Sequence, residues 1–279
     1  MLFLCAGMEE EVKYLNIIVL GLTTVLLAAV LLPRAATAQV NTEKIRSGAP
    51  DPGFHGFFQG TALVKTGNVQ LVQLGFGARL EYNHERHQVY VQGDYSFAQK
   101  GGLDVSDDSL RYLHSGFGHL RWTAMWHQHM GLEVFGQVQF NEFTRLQLRA
   151  LGGAGGRFVL LTGDSVELVF GSGYMAEYEK LDLPDTAVHP ARLVNHRWTN
   201  YLTLRVAIQE YLRLIATTYY QPRFDAFGDF RVLFDGTIEV DVIDHLAFVV
   251  SVQVLHDSRP PDDIETTDIT IAPAVKVTW

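Results

Sequence analysis

His127 and His129, in the stretch WHQHM at 126–130, stand two positions apart, so on an extended chain both imidazoles share one face at a spacing that can chelate a divalent metal. No third histidine or carboxylate is adjacent, and Trp122 and Trp126 precede the pair, so the expectation is a polar pair within an aromatic interfacial belt and not a metal site. His84 and His87 in NHERHQ read the same way. LHDS, Leu255 to Ser258, contains the letters of a hydrolase triad. Neighbours along a strand point to opposite faces, however, and a triad is defined by geometry in space. ALGGAGGR, Ala150 to Arg157, lacks the Gly-Lys-Ser/Thr ending and the following helix of a phosphate-binding loop. Its glycines read as a bend or a close approach of neighbouring backbone. No catalytic residue, metal or cofactor is expected.

The remaining chemistry is a set of charges that take the polar face of their own segments and alternate with apolar residues: Arg79, Glu81, Asp94, Arg111, Arg121, Arg149, Arg157, Arg205, Arg213, Arg231, Asp235 and Glu239. Side chains of both signs on one face of a sheet can line a watery conduit, or they can pair and fill it.

The elements that carry these charges are extended. Twelve alternating segments, broken by turn residues, lie near 54–65, 68–82, 88–98, 109–127, 131–141, 145–160, 165–180, 196–208, 211–223, 228–242, 245–256 and 266–279. In 229–242, Phe230, Val232, Phe234, Ile238, Val240 and Val242 take one face, while Arg231, Asp235, Thr237, Glu239 and Asp241 take the other. One face therefore meets an apolar medium and the other a polar one. Strands of a soluble sandwich average five or six residues, whereas crossing a hydrocarbon core takes nine or more. The connections also alternate, short ones such as HQHM and TGDS with long ones such as LDLPDTAVHPARLVN and HDSRPPDDIETT. That is the pattern of periplasmic turns and external loops in an outer-membrane barrel. The fold class expected is all-β, a single transmembrane antiparallel barrel of about twelve strands.

Composition agrees. The 279 residues include 17 Phe, 11 Tyr and 25 Gly, with 47% hydrophobic and 19% charged, and mean hydropathy lies near zero, below that of a helical membrane protein. IIVLGLTTVLLAAVLL at 17–32, followed by Ala36-Thr37-Ala38, reads as a secretory signal over residues 1–38. A short periplasmic lead, 39–53, then precedes the barrel at 54–279. Cys5, the one cysteine, falls within the signal, so no disulfide or cysteine chemistry is expected. Without the signal the chain keeps 20 basic and 28 acidic residues, a net charge of −8, which offers nothing to nucleic acid.

The ending DITIAPAVKVTW alternates through Val275, Val277 and Trp279, interrupted by Pro273. A last strand with a terminal aromatic facing lipid looks like the C-terminal signal read by the barrel-assembly machinery; Phe is the usual occupant there, and Trp279 departs from it.

Lys65-Thr66-Gly67-Asn68, the run Phe140 to Arg149 with the glycines that follow, and Pro260-Pro261 with Thr267-Asp268 together resemble the YdiY-like, salt-induced outer-membrane protein family, a group of unknown function. The resemblance implies a barrel and no catalytic residues. The expected location is the bacterial outer membrane, with lipid, the assembly machinery and small ions or solutes as partners. The expected role is a narrow channel or an envelope-stress structural protein, with a lipid-modifying enzyme of the outer membrane as the alternative.

Overall fold

A computed structural model describes residues 52–65, 71–100 and 111–279. The signal and most of the lead, the first hairpin tip after Lys65, and the connection at 101–110 lie outside the described residues. Twelve strands follow one another: β1 Gly53–Lys65, β2 Leu71–His84, β3 His87–Lys100, β4 Arg111–His127, β5 Met130–Asn141, β6 Leu146–Thr162, β7 Val166–Leu181, β8 Arg192–Gln209, β9 Leu212–Pro222, β10 Phe230–Ile243, β11 Leu246–Asp257 and β12 Thr267–Thr278. Each pairs antiparallel with its sequence neighbours, and β12 meets β1 to close the barrel.

All twelve expected segments are strands. The largest shift of an edge is at β8, which begins at Arg192 and absorbs four residues expected in the preceding loop. The five connections at the end where Gly53 and Trp279 lie are tight turns, and register shifts at Met125/His127, Val159/Leu161, Ala207/Gln209 and Asp241/Ile243 place bulges on that rim. At the opposite end the β5–β6 connection is a short 3-10 turn, Glu142–Thr144. Asn141 Oδ1 accepts from the N–H of Phe143 at 3.0 Å to start it, and Arg145 in the left-handed region, φ 57°, ends it.

Burial decides which way the alternation points. On β10 the inward Asp235 is 3% exposed while the outward Ile238 is 48% exposed. Arg79, Arg121, Arg149, Arg157, Glu177 and Glu179 are likewise buried, while Phe58, Phe76, Leu80, Trp122, Val138, Leu202 and Phe248 stand outside. A soluble barrel would invert this arrangement, since an unpaired charge costs far more to bury than an apolar side chain gains. Strands of 11 to 18 residues with an apolar exterior and no unpaired edge over most of the circumference make a membrane-spanning barrel.

Candidate functional site

The inward charges meet in three tiers. At the short-turn end, Arg79 Nη2 donates to Glu81 Oε2 at 2.6 Å, and Glu81 Oε1 also accepts from Asn83 and Gln88. The Arg79 guanidinium lies 3.5 Å from the centroid of the Tyr90 ring, so its flat face is covered while its edge is paired. Arg205 pairs with Glu167. Glu239 takes Arg213 at 2.7 Å and Lys276 at 2.9 Å, and Arg213 also reaches Asp241 at 2.8 Å.

The middle tier is built on Glu133. Arg121 and Arg157 approach it at 3.4 and 3.5 Å, Thr123 donates to it at 3.2 Å, and the Tyr201 hydroxyl donates to Oε2 at 2.7 Å. Arg157 Nη1 in turn donates to that hydroxyl at 2.9 Å. Tyr201 stands on β8 and Glu133 on β5, so the phenol crosses over β7 and β6. The sequence permits this because those two strands are glycine-rich. A Cβ at Gly171 would run into the Tyr201 ring and one at Gly153 into Phe135, while Gly155 and Gly173 bring their backbones too close for any side chain. The glycine run is thus a shelf for two aromatic rings, in keeping with the close approach expected of it.

The tier nearest the long loops is the densest. Arg231 on β10 reaches across β9 and β8 to β7, donating to Glu177 Oε2 at 2.9 Å and Glu179 Oε1 at 3.0 Å, and its Nε donates to Asp257 at 2.8 Å. Arg149 holds Glu179, and Arg197 donates to Glu177 at 2.7 Å and to Asp229 at 3.1 Å. Glu177 and Glu179 are each 2% exposed, so these contacts replace nearly all of their hydration. Above them, in the β9–β10 loop, Arg223 donates to Asp225 and Asp229. Its hydrogen bond holds the Asp225 carboxyl below the usual aspartate range.

Two cavities, each of about 40 Å³, flank this tier. Each has room for several waters. The inner one is lined by Arg121, Glu133, Gln137, Tyr201, Arg149, Glu177 and Arg231. The outer one lies among Arg149, Glu179, Arg231, Asp257 and the loop with Pro260 and Pro261. Arg149 and Arg231 border both, so the tier is the partition between them. Over the outer cavity the loops meet: Asp262 accepts from the His189 N–H at 2.9 Å and Asp263 pairs with Arg145 at 3.2 Å.

Of the inward charges read from parity, Arg79, Glu81, Arg121, Arg149, Arg157, Arg231, Asp235 and Glu239 are buried in the interior; Asp94, Arg205 and Arg213 are partly so. Arg111 lies in β4, but its side chain is outside the described ones. Parity did not single out Glu179, Arg197, Tyr201 or Lys276. Glu179 shares its face with Glu177, and Arg197 shares its face with Arg205; the ion pairs of both depend on the register between strands, which alternation does not carry. The Val275, Val277 and Trp279 side chains lie on the outer surface.

The short motifs disperse. Asp257 belongs to Arg231, His256 Nδ1 meets the Thr267 hydroxyl at 2.9 Å, and Ser258 Oγ accepts from the Phe230 N–H at 2.8 Å, so the three letters form no triad. The His127 and His129 rings are 5.6 Å apart, and no group of three metal-ligating residues occurs among the described residues.

Residues 61–279 match the model of a family described as "Protein of unknown function, DUF481". No curated protein matches the chain. Among solved structures, the NanC porin aligns with 81% of this chain and 99% of its own at 6% identity and a TM-score of 0.49. The KdgM porin covers the same shares at 6% identity and 0.44. The transport unit of the autotransporter AIDA-I from Escherichia coli aligns over 92% of this chain and 97% of its own, at 11% identity and 0.42.

Proposed function

This chain belongs to the family of unknown function DUF481, and we propose that it is a bacterial outer-membrane barrel acting as a narrow conduit for water and small ions, closed at one tier by side chains. The observation that carries the reading is the pair of cavities, each bordered by charged side chains, separated by the Arg149–Arg231–Glu177–Glu179 tier. A barrel meant only as a wall gains nothing from long charged side chains inside it, and buried ion pairs are no better for stability than well-packed apolar groups. Interlocked charges can, however, exchange partners and let small ions pass. Twelve strands lie between the small barrels that side chains fill and the sixteen-stranded barrels that hold an open channel.

Location in the outer membrane is supported by the apolar exterior and by the alternation of tight turns with longer connections. The salt-induced, YdiY-like family that the local motifs resemble is part of the same proposal. So is the reading of Val275, Val277 and Trp279 as the strand end that the assembly machinery engages.

Planar-bilayer recording of refolded protein tests the channel. Small conductance steps are expected from the wild type. Arg231→Ser, which removes the strut across the partition, should raise step size several-fold if the folded, heat-modifiable band is retained. Absence of steps at every voltage in both proteins would remove the conduit and leave the barrel.

A further inference from the structure

Hydrogen-bonded ladders close most of the wall; the β8–β9 ladder stops short by two residues before a bridge between Arg197 and Arg223, and the longest gap lies at the seam of the first and last strands. β1 pairs with β2 from Gly53 to Lys65, and β12 with β11 from Thr267 to Val277. Between β1 and β12 the ladder covers only Phe57–Gly60 against Val275–Thr278, with one more step where Gly56 and Trp279 exchange N–H···O bonds of 3.2 and 3.1 Å.

The exchange at Trp279 fixes the phase of the seam. In an antiparallel ladder alternate residues turn their backbone groups to the same neighbour. Trp279, Val277, Val275, Pro273, Ile271 and Ile269 therefore face β1, whereas Thr278, whose N–H goes to His245 O at 3.0 Å, faces β11. Two residues beyond the last pair, Gly60 with Val275, the next hydrogen-bonded partners in register would be Ala62 and Pro273. Proline has no N–H to give. Among the described residues the ladder stops there, and the two strands run on toward the long-loop end with their facing edges unpaired.

A bare strand edge cannot face dry hydrocarbon, where each unsatisfied amide group costs several kcal/mol. Its two flanks differ. On the outer side stand Ile269 and Ile271, the former 57% exposed. The inner parity carries Thr61, Thr270 and Ala272, with Ser251 opposite Ala272 on β11, small residues and hydroxyls that leave room for polar atoms. The slot is thus apolar on its outer lip and bordered within by small residues and by strand amides that the ladder does not reach. That is the chemistry of an amphiphile, with ester or headgroup oxygens accepting from strand N–H groups and an acyl chain lying against the isoleucines.

We propose that the long-loop half of the β1–β12 seam is a lateral opening in the barrel wall, held open by Pro273, that takes an ester-linked acyl chain of a lipid from the surrounding leaflet. This rests on the membrane location proposed above but not on conduction.

The test places a bimane label at Ala272→Cys in a Cys5→Ser background, with the protein refolded into phosphatidylcholine vesicles whose acyl chains are brominated or not. Brominated chains should quench this label at least twofold. A label at Gln253→Cys, on the inner parity of β11, should be quenched much less. Pro273→Val supplies the missing N–H and turns its side chain to the bilayer beside Val275, so it should remove most of the quenching at Ala272→Cys. Pro273→Ala restores the same N–H and stands in if the valine variant does not reach the folded band. Absence of quenching with Pro273 present, equal quenching at Gln253→Cys, or quenching unchanged in a folded Pro273 replacement would each overturn the proposal. Loss of conductance with quenching intact would remove the channel and keep the seam.

Discussion

The wall formed by β4 to β10 and the wall formed by β11, β12, β1, β2 and β3 share one exterior and differ inside. The first is tied across the lumen by long side chains. Arg231 spans from β10 to β7 and Tyr201 from β8 to β5, and each end is buried. Near the seam the second carries short residues, Thr61, Gly75, Gly77, Ser96, Ser251, Thr270 and Ala272, and depends on backbone pairing that is itself incomplete between β1 and β12. In one half, closure depends on side-chain geometry and charge balance. In the other it depends on the presence of an N–H.

The largest break of that contrast is Glu177→Ala. Glu177 accepts from Arg197, Arg231 and Asn195, and its loss leaves two guanidinium groups buried with part of their compensation gone. Removing one partner of a buried pair costs about 3–5 kcal/mol. Urea unfolding in detergent, followed by the shift between folded and unfolded bands, should show a loss of that order. Thr61→Ser on the thin-lined wall, which removes one half-buried methyl, should change stability by less than about 1 kcal/mol.

Next in size is Gly171→Ala. The new methyl would occupy the place of the Tyr201 ring, and overpacking of this kind costs about 1–3 kcal/mol. Combined with Tyr201→Ala, which vacates the space, the two losses should be less than additive, because both act through one contact. Simple addition would mean that the glycine is there for strand curvature alone. Tyr201→Phe isolates the hydroxyl that links Arg157 to Glu133. It should cost about 1.5–3 kcal/mol, the range for a hydrogen bond to a charged group.

How far these features could be read from the sequence follows from what alternation encodes. Parity assigns each residue a face, so Arg231 and Arg149 both fall on the inner side of their strands. It does not say at what height two strands stand, nor which side chains meet across a lumen, because strand stagger is set by closure of the whole barrel. Tyr201 escaped for another reason. An aromatic on the inner parity looks like core until the glycines beneath it are known to lie on β6 and β7 at its own level. Pro273 was visible as a break in the last strand, but its meaning needed the register with β1 and the phase set by Trp279.

The smallest predicted effect falls at the seam. Trp279 is 63% exposed, and its ring lies over Gly56, where an added Cβ would collide with it. The strand end is nevertheless held by backbone, through the two Gly56–Trp279 bonds and the Thr278 bond to His245 O. Trp279→Phe keeps every one of these and leaves a smaller aromatic on the same lipid-facing spot. Its effect on stability should therefore stay within about 0.5 kcal/mol, the range for an exposed substitution away from any buried feature. Gly56→Val, which pushes the ring off and strains the same two bonds, should lower the unfolding midpoint clearly. Should Trp279→Phe prove as damaging as Gly56→Val, the indole itself would be the clasp, and the two walls would differ less than their interiors suggest.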